Sequence, residues 1–361
     1  MEDALRSILP FFGMLVGLIV IHELGHFFTA KIFKVKVLEA GLGYPPRVWG
    51  FTWHGTIYSI NLLPLGGFVR LLGEEDPSDP ESLAAQPAWK RLIVLASGSG
   101  MNFLLPIALF AIAFMIPHQV GVGPALIDKV EAGSPAAAAG LQPGDRILAL
   151  NGESVKNVQE VGRLIRLNQG ETIDFKVQRE VFGGGSEVVE KPVEARWDPP
   201  SDQGPTGIKI GNLYPQFHDS ESSSVWKAIP KGWTATLESL ILARNQVISF
   251  VKGGSGPDVA GPVGIAQATG DVIEQAGWQT LLDFAALLSI NLAIINILPL
   301  PMLDGGRIAF VLLEVARRGK RIAPEKEAIV HLVGLALMIT LAVVVTYFDV
   351  IRIIRGGSLF E

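Results

Sequence analysis

The sequence predicts a polytopic α-helical membrane protein with four transmembrane helices, a cytoplasmic membrane-associated β-hairpin and an extracytoplasmic α+β domain. Three observations carry that reading. Of 361 residues, 49% are hydrophobic and only 18% charged, and the mean hydropathy of +0.38 lies on the lipid side of the soluble range. Residues 92–116, 281–303 and 329–351 each supply the about 20 apolar residues that a ~30 Å hydrocarbon core demands. Lysine and arginine crowd into two loops. The formal charge of -5, from 30 basic and 35 acidic residues, leaves no basic surplus to track phosphates, so nucleic acid is excluded as a partner. The absence of cysteine excludes disulfides, thiolate metal sites and cysteine nucleophiles.

Residues 1–33 form the first span. Its apolar stretch, 8–21, is short and runs into His22-Glu23-Leu24-Gly25-His26 before apolarity resumes at Phe27 and Phe28. A cleavable signal peptide also starts with a short apolar stretch, but here a clear basic leader and a small-residue cleavage pattern are missing. In residues 34–91, the 47–53 segment, a His54-Gly55 turn and 56–63 make a hairpin pattern, followed by Gly66, Gly67 and the apolar 68–72. Such strands dip towards the bilayer if their backbone groups stay paired, or form an ordinary cytoplasmic hairpin. The second span is 92–116.

Residues 130–153 read VEAGSPAAAAGLQPGDRILALNGE, in which Pro135 and the alanines start a short helix and Ile147, Leu148 and Leu150 begin a strand. The S-P-A, A-G-L, G-D-x-I and N-G elements at 134–136, 139–141, 144–147 and 151–152 resemble PDZ domains. The resemblance covers 120–198 and implies a groove that binds a peptide segment by strand addition, with 125–130 as the candidate groove strand. Residues 199–280 comprise a Pro- and Gly-rich linker, 198–219, and an amphipathic segment in which Trp226, Ile229, Trp233, Leu237 and Leu240 recur at three and four. Its four cations and one acid favour a helix on the outer membrane surface over a fifth span, with Pro230 breaking or starting it. The third span, 281–313, is interrupted by Pro299 and Pro301, and the fourth is 328–351.

Seven basic residues in loop 31–91 and five in 314–327 stand against one in the N-terminal tail and two in the C-terminal tail. The positive-inside rule therefore puts both loops in the cytoplasm, and both termini and 117–280 outside. The first and third spans then run the same way, from outside to inside.

His22 and His26 sit at i and i+4, so on a helix both imidazoles reach one Zn2+ while Glu23 projects beside its water. Two histidines and a glutamate inside an apolar helix are costly unless they serve a function. A catalytic zinc takes a third protein ligand, and Asp304, which follows the proline break at the same end of the third span, is the best candidate. His54 reads as a turn residue, His118 and His218 as loop residues and His331 as a residue near the start of the fourth span, none with a second donor at ligand spacing. Asn102 and its neighbouring glycines read as helix packing.

HELGH, NLLPLGGFVR at 61–70, SGSGMNF at 97–103, the PDZ-like segment, SGPDVAGPVGI at 255–265 and NxxPxxxxDGGR at 296–307 together resemble the site-2 protease family of intramembrane zinc metalloproteases. The closest likeness is the bacterial branch with a PDZ domain between the second and third core helices, although one PDZ-like segment is found where some members carry two. The resemblance implies His22, His26 and Asp304 as zinc ligands, Glu23 as general base and Asn296 as a contact to the substrate backbone. It also implies a bacterial inner-membrane enzyme acting on single-pass membrane proteins such as membrane-anchored regulators, in regulated proteolysis and envelope-stress signalling. Substrate must unwind first, and an extended segment docking against an edge of the 47–63 hairpin would expose the amide. Two other classes remain open: a non-catalytic PDZ-bearing scaffold and a metal transporter. A membrane zinc protease with glutamate as third ligand is the rival within the class.

Overall fold

A computed structural model describes residues 2–121, 123–181, 184–200, 203–212, 218–254 and 260–356. Residues 255–259 of the SGPDVAGPVGI motif, and 201–202 and 213–217 of the expected linker, lie outside the described residues. The chain divides into two units. One holds 1–113, 228–236 and 259–361, and the other holds 114–227 and 237–258.

The first unit contains α1 (Glu2–Ile32), β1 (Val37–Trp53), β2 (Thr56–Leu71) and α2 (Ala88–Met115). Four helical segments among the described residues are long and apolar enough to span a bilayer: Leu9–Ile32, Ala88–Met115, Thr280–Ile297 and Pro324–Ile354. They agree with the four expected spans. Helices α1 and α2 approach closely because Gly25 and Gly98 carry no side chain; a Cβ on Gly25 would run into the Ser97 carbonyl.

The hairpin is larger than its sequence pattern predicts. Segment 39–42 pairs with 57–60 on one side (Ala40↔Tyr58, Gly41↔Ser59) and with 67–70 on the other (Ala40↔Val69, Gly41↔Phe68), while 57–60 also pairs with 49–52. The lateral order is therefore 49–53, 56–60, 39–42, 67–71. Gly43, at φ 78, supplies the left-handed backbone between the two halves of β1. Ile57 and Ser59 thus lie inside the sheet and not on the edge expected of a lone 47–63 hairpin. The sheet is cross-braced by Glu39, whose carboxylate takes Arg47 at 2.6 Å and Arg70 at 3.2 Å. Burial pushes the Glu39 carboxyl up, but the Ser59 hydroxyl and Arg47 outweigh it and hold the group below the ordinary carboxylate range.

In the second unit, β3 (His118–Gly121), β4 (Ala125–Val130), α3 (Pro135–Ala138), β5 (Arg146–Leu150), β6 (Glu153–Ser154), α4 (Val158–Leu167), β7 (Thr172–Val181), β8 (Gly185–Glu194), β9 (Ile208–Asn212) and β10 (His218–Glu221) follow in order. Six strands form one sheet in the order β8-β7-β5-β4-β9, with β6 beside β5. Ile127, Ile147, Leu150, Val161, Ile173, Phe175 and Val177 fill its core. Serine 134 and Asn157 cap α3 and α4 through their side chains. Two expectations change here. Part of the expected 198–219 linker is strand, and the expected groove strand 125–130 is covered on one flank by β9, from Ala125↔Asn212 to Val130↔Ile208, while β5 pairs with Ala125 and Leu126 on the other. On the β4 side the sheet ends at β9, and its other edge is β8. His118 and His218 are strand residues of the β3-β10 pair and not loop residues.

The amphipathic segment is α5 (Val225–Val251), which runs through Pro230 without a break. Pro230 is the sixth residue of α5, so its missing N–H costs the helix one bond, that to the Trp226 carbonyl. Next comes α6 (Pro262–Ile297), which begins well before the predicted apolar run, then a non-helical turn at 298–303, α7 (Asp304–Ala316) and α8 (Pro324–Ile354). The buried Asp349 of α8 accepts the Gly261 and Gly264 amides at 2.9 and 2.8 Å, closing the α6 N-terminus that glycine cannot cap itself.

Candidate metal centre

The i, i+4 spacing on α1 stacks His22 and His26 on one face, both buried. Asp304 is the first residue of α7, delivered by the break that Pro299 and Pro301 impose on the apolar run. His22 Nε2 and His26 Nε2 lie 3.2 Å apart, and Asp304 Oδ2 lies 3.0 and 3.2 Å from them. A tetrahedral ion with bonds of ~2.0–2.1 Å has donor edges of about 3.3 Å. Oδ2 is buried and has no hydrogen-bond partner despite this proximity. Three lone pairs aimed at one point, two nitrogen and one oxygen, fit a divalent transition metal and zinc in particular.

The ring orientations are set from α2. His26 Nδ1–H donates to the Val94 carbonyl at 2.8 Å, which leaves Nε2 free as a ligand. The His22 Nδ1 edge faces the buried Asn102 amide at 3.5 Å. Gly98 forms the wall: a Cβ there would sit 2.6 Å from His22 Nε2 and closer to His26 Nε2. The sequence marked Asn102 and its neighbouring glycines only as packing, because their partners lie on another helix.

Glu23 does not join the three donors. It lines a cleft of about 360 Å³ with Val20, Leu24, Gly67, Phe68 and Val69, so the carboxylate sits where α1 meets the 67–71 edge of the sheet. Gly67 lies alongside it; a Cβ there would sit at ordinary contact distance, 3.7 Å, from Glu23 Cγ. Asn296 is on the last turn of α6, half-buried, two residues before the turn that leads to Asp304, and no hydrogen bond joins it to the three donors. The DGG glycines have a steric cause. Side chains at Gly305 and Gly306 would strike the Ile297, Leu298 and Leu300 carbonyls, so only glycine lets α7 start against its own lead-in turn. His331, expected to lack a second donor, lies beside Glu75 and Glu327, with ligand atoms within 4.8 Å of one another.

Known proteins resemble the chain along most of its length. The profile of peptidase family M50 matches residues 10–341. The chain is 30% identical over 435 residues to the zinc metalloprotease RasP of Geobacillus kaustophilus, covering 97% of this chain and 99% of that one. RasP of Oceanobacillus iheyensis is 30% identical over 430 residues, covering 95% and 97%. A chain provisionally named a zinc metalloprotease in Clostridium acetobutylicum is 32% identical over 336 residues, covering 92% and 94%. A family match along nearly the whole chain, with relatives that share its full extent, means that the chain belongs to peptidase family M50 and is a zinc metalloendopeptidase of the membrane.

Proposed function

We propose that the chain hydrolyses a peptide bond within or at the edge of the transmembrane helix of single-pass membrane proteins, with His22, His26 and Asp304 as zinc ligands and Glu23 as general base. The observation that carries this is the juxtaposition of three converging donors with a carboxylate at the head of an apolar cleft. When bound, zinc supplies Lewis acidity that polarises the scissile carbonyl and eases deprotonation of water. Glu23 takes that proton and returns it to the leaving amine. The cleft, walled by Phe27, Leu42, Trp49, Phe51, Tyr58 and Phe68, is open on one side and accepts apolar side chains.

A helical amide is shielded by its own i to i−4 bonds, so the substrate must be extended when cut. The 67–71 edge beside Glu23 supports strand addition as the extending device, because it pairs only with 37–42. Asn296 would hold substrate backbone from the α6 side. In the positive-inside reading, both termini and the 117–280 region face outside the bacterial inner membrane, and the centre opens to the cytoplasmic half. Strand β9 and α4 offer a PDZ-type groove for a peptide segment, replacing 125–130 in that role. The physiological setting that fits is regulated proteolysis of membrane-anchored regulators in envelope-stress signalling.

The deciding experiment pairs two variants in lipid. Glu23→Gln should keep stoichiometric zinc and lose cleavage of a membrane-helix substrate by at least 100-fold. Asp304→Ala should lose zinc. Near-normal turnover in the first, or full zinc in the second, removes that residue from its assigned role.

A further inference from the structure

Among the described residues, the Glu75, Glu327 and His331 group is the second set of donors close enough to hold a metal, and it shares no residue with His22, His26 and Asp304. Its chemistry argues against an ion. The Met302 backbone N–H donates to His331 Nδ1 at 2.9 Å. A backbone N–H can only donate, so Nδ1 lends its lone pair and the ring proton of the neutral imidazole sits on Nε2. A metal at Nε2 would need the lone pair that this proton occupies. Nε2 is buried without a hydrogen-bond partner, and its neighbour Glu327 Oε1, one helical turn back, is 3.9 Å away. The two carboxylates therefore favour a protonated Nε2, and through it an accepting Nδ1.

What the accepted N–H belongs to gives the group its meaning. Met302 has φ 79, in the left-handed region that a side-chain-bearing residue adopts only when held. It lies two residues before Asp304, in the turn that sets the direction of α7. Leu303, the N-cap of α7, makes no side-chain cap bond. Gly305 and Gly306 pack α7 on the carbonyls of that same turn, so turn and first helical turn move together. The other anchor is also on α8: Gly334, three residues after His331, makes room for Pro301, which a Cβ there would strike. Glu327, His331 and Gly334 lie at i, i+4 and i+7, one face of α8. The Phe310 ring of α7 packs on the other side of His331 at 5.6 Å between centroids.

We propose that His331 is a positioning residue for the metal centre: by accepting the Met302 N–H it fixes the 298–303 turn so that α7 begins with Asp304 facing His22 and His26. This rests on the zinc-ligand reading above. The role is a geometric one at Nδ1, so the side chain that replaces it is asparagine, whose Oδ1 falls near the Nδ1 position, and not glutamine, whose acceptor falls near Nε2.

The test measures zinc affinity by chelator competition, and the visible spectrum of the cobalt-substituted protein, on purified full-length chain in lipid. Loss of an outer partner of a metal ligand weakens binding ~10–100-fold. His331→Leu and His331→Gln should each show that loss with an altered cobalt spectrum. His331→Asn should stay within about threefold of wild type, as rescue by the conservative acceptor. Gly334→Ala should reproduce the loss with His331 intact, which covers the case in which His331→Leu fails to fold. Wild-type affinity in His331→Gln and Gly334→Ala, or equal losses in the asparagine and glutamine variants, overturns the proposal while leaving the zinc reading in place. Two zinc ions per wild-type chain, falling to one in all three His331 variants, overturns it in favour of a second metal site. A wild type that binds no zinc overturns the ligand reading and this inference with it.

Discussion

A Cβ on Gly98 would fall 2.6 Å from the His22 ring and closer still to His26, so the residue without a side chain is as much a part of the centre as the three converging donors. Gly98→Ala must push both imidazoles off their convergence, since α2 backbone cannot yield without losing the Val94 contact to His26. Overpacking of this kind costs about 1–3 kcal/mol in a well-packed interior. Zinc affinity should fall at least tenfold, and an unchanged value by chelator competition would mean that the two helices can part. Asn102 makes a complementary case. When His22 lends Nε2 to a metal, its Nδ1 carries the proton and needs an acceptor. Asn102 Oδ1 is buried and without a partner, and rotating the amide brings it to the 3.5 Å edge now held by Nδ2. Asn102→Leu should weaken zinc ~10–100-fold while Asn102→Asp, an acceptor of the same shape, should not; equal losses in both would assign Asn102 to packing alone. The convergence of His22 and His26 was legible in the sequence because i, i+4 is a local spacing. Gly98, Asn102 and His331 were not, since each acts on a residue of another element, for His331 the 298–303 turn, and one chain carries no signal for that pairing.

At the scale of elements, the hairpin was visible from its alternating apolar pattern and its His54-Gly55 turn, with φ 46 and 74. The register was not. Segment 39–42 lies between 57–60 and 67–70, and neither neighbour is next to it in the chain, so local turn chemistry could not announce the pairing. The correction changes which substitution probes strand addition. A proline at Ile57 or Ser59 removes a backbone donor from a strand paired on both sides and should break the sheet itself. The 67–71 segment pairs on one side only, and along an antiparallel edge successive N–H groups point alternately in and out. A proline scan over Phe68, Val69 and Arg70 should therefore alternate. Inward positions should expose 37–71 to added protease. Outward positions should leave protection and zinc intact and slow cleavage at least tenfold, as expected if they supply the docking donor. A scan in which no position slows cleavage with the sheet and zinc preserved would remove strand addition from the mechanism. The helix starts tell the same lesson: α6 begins at Pro262, and its N-terminus is closed by Asp349, a residue of α8 more than eighty positions away and a capping partner outside any local pattern.

Across the whole molecule, the positions of the ligands along their spans determine where a substrate is cut. His22 lies 13 residues after Leu9, the start of the first span, which is about 20 Å of helix and past the bilayer midplane. Asp304 arrives beyond the end of the Thr280–Ile297 span, which the orientation reading runs in the same direction. In that orientation the two sets of donors reach the same level, nearer the cytoplasmic face, and under the proposed function the amide to be cut would unwind at that level. Unwinding there costs the substrate its helical bonds, and glycine or proline in a helix interior lowers that cost by ~1 or ~3 kcal/mol relative to alanine. A Leu-rich single-pass substrate should be cut slowly. One glycine in its cytoplasmic half should raise the rate about fivefold and one proline more than tenfold, at equal expression and insertion. The same residues in the outer half should change the rate by less than twofold, because the helix they loosen never reaches Glu23. A rate that rises equally with a breaker in either half would place the unwinding step away from the centre, and with it the depth inferred from the spans.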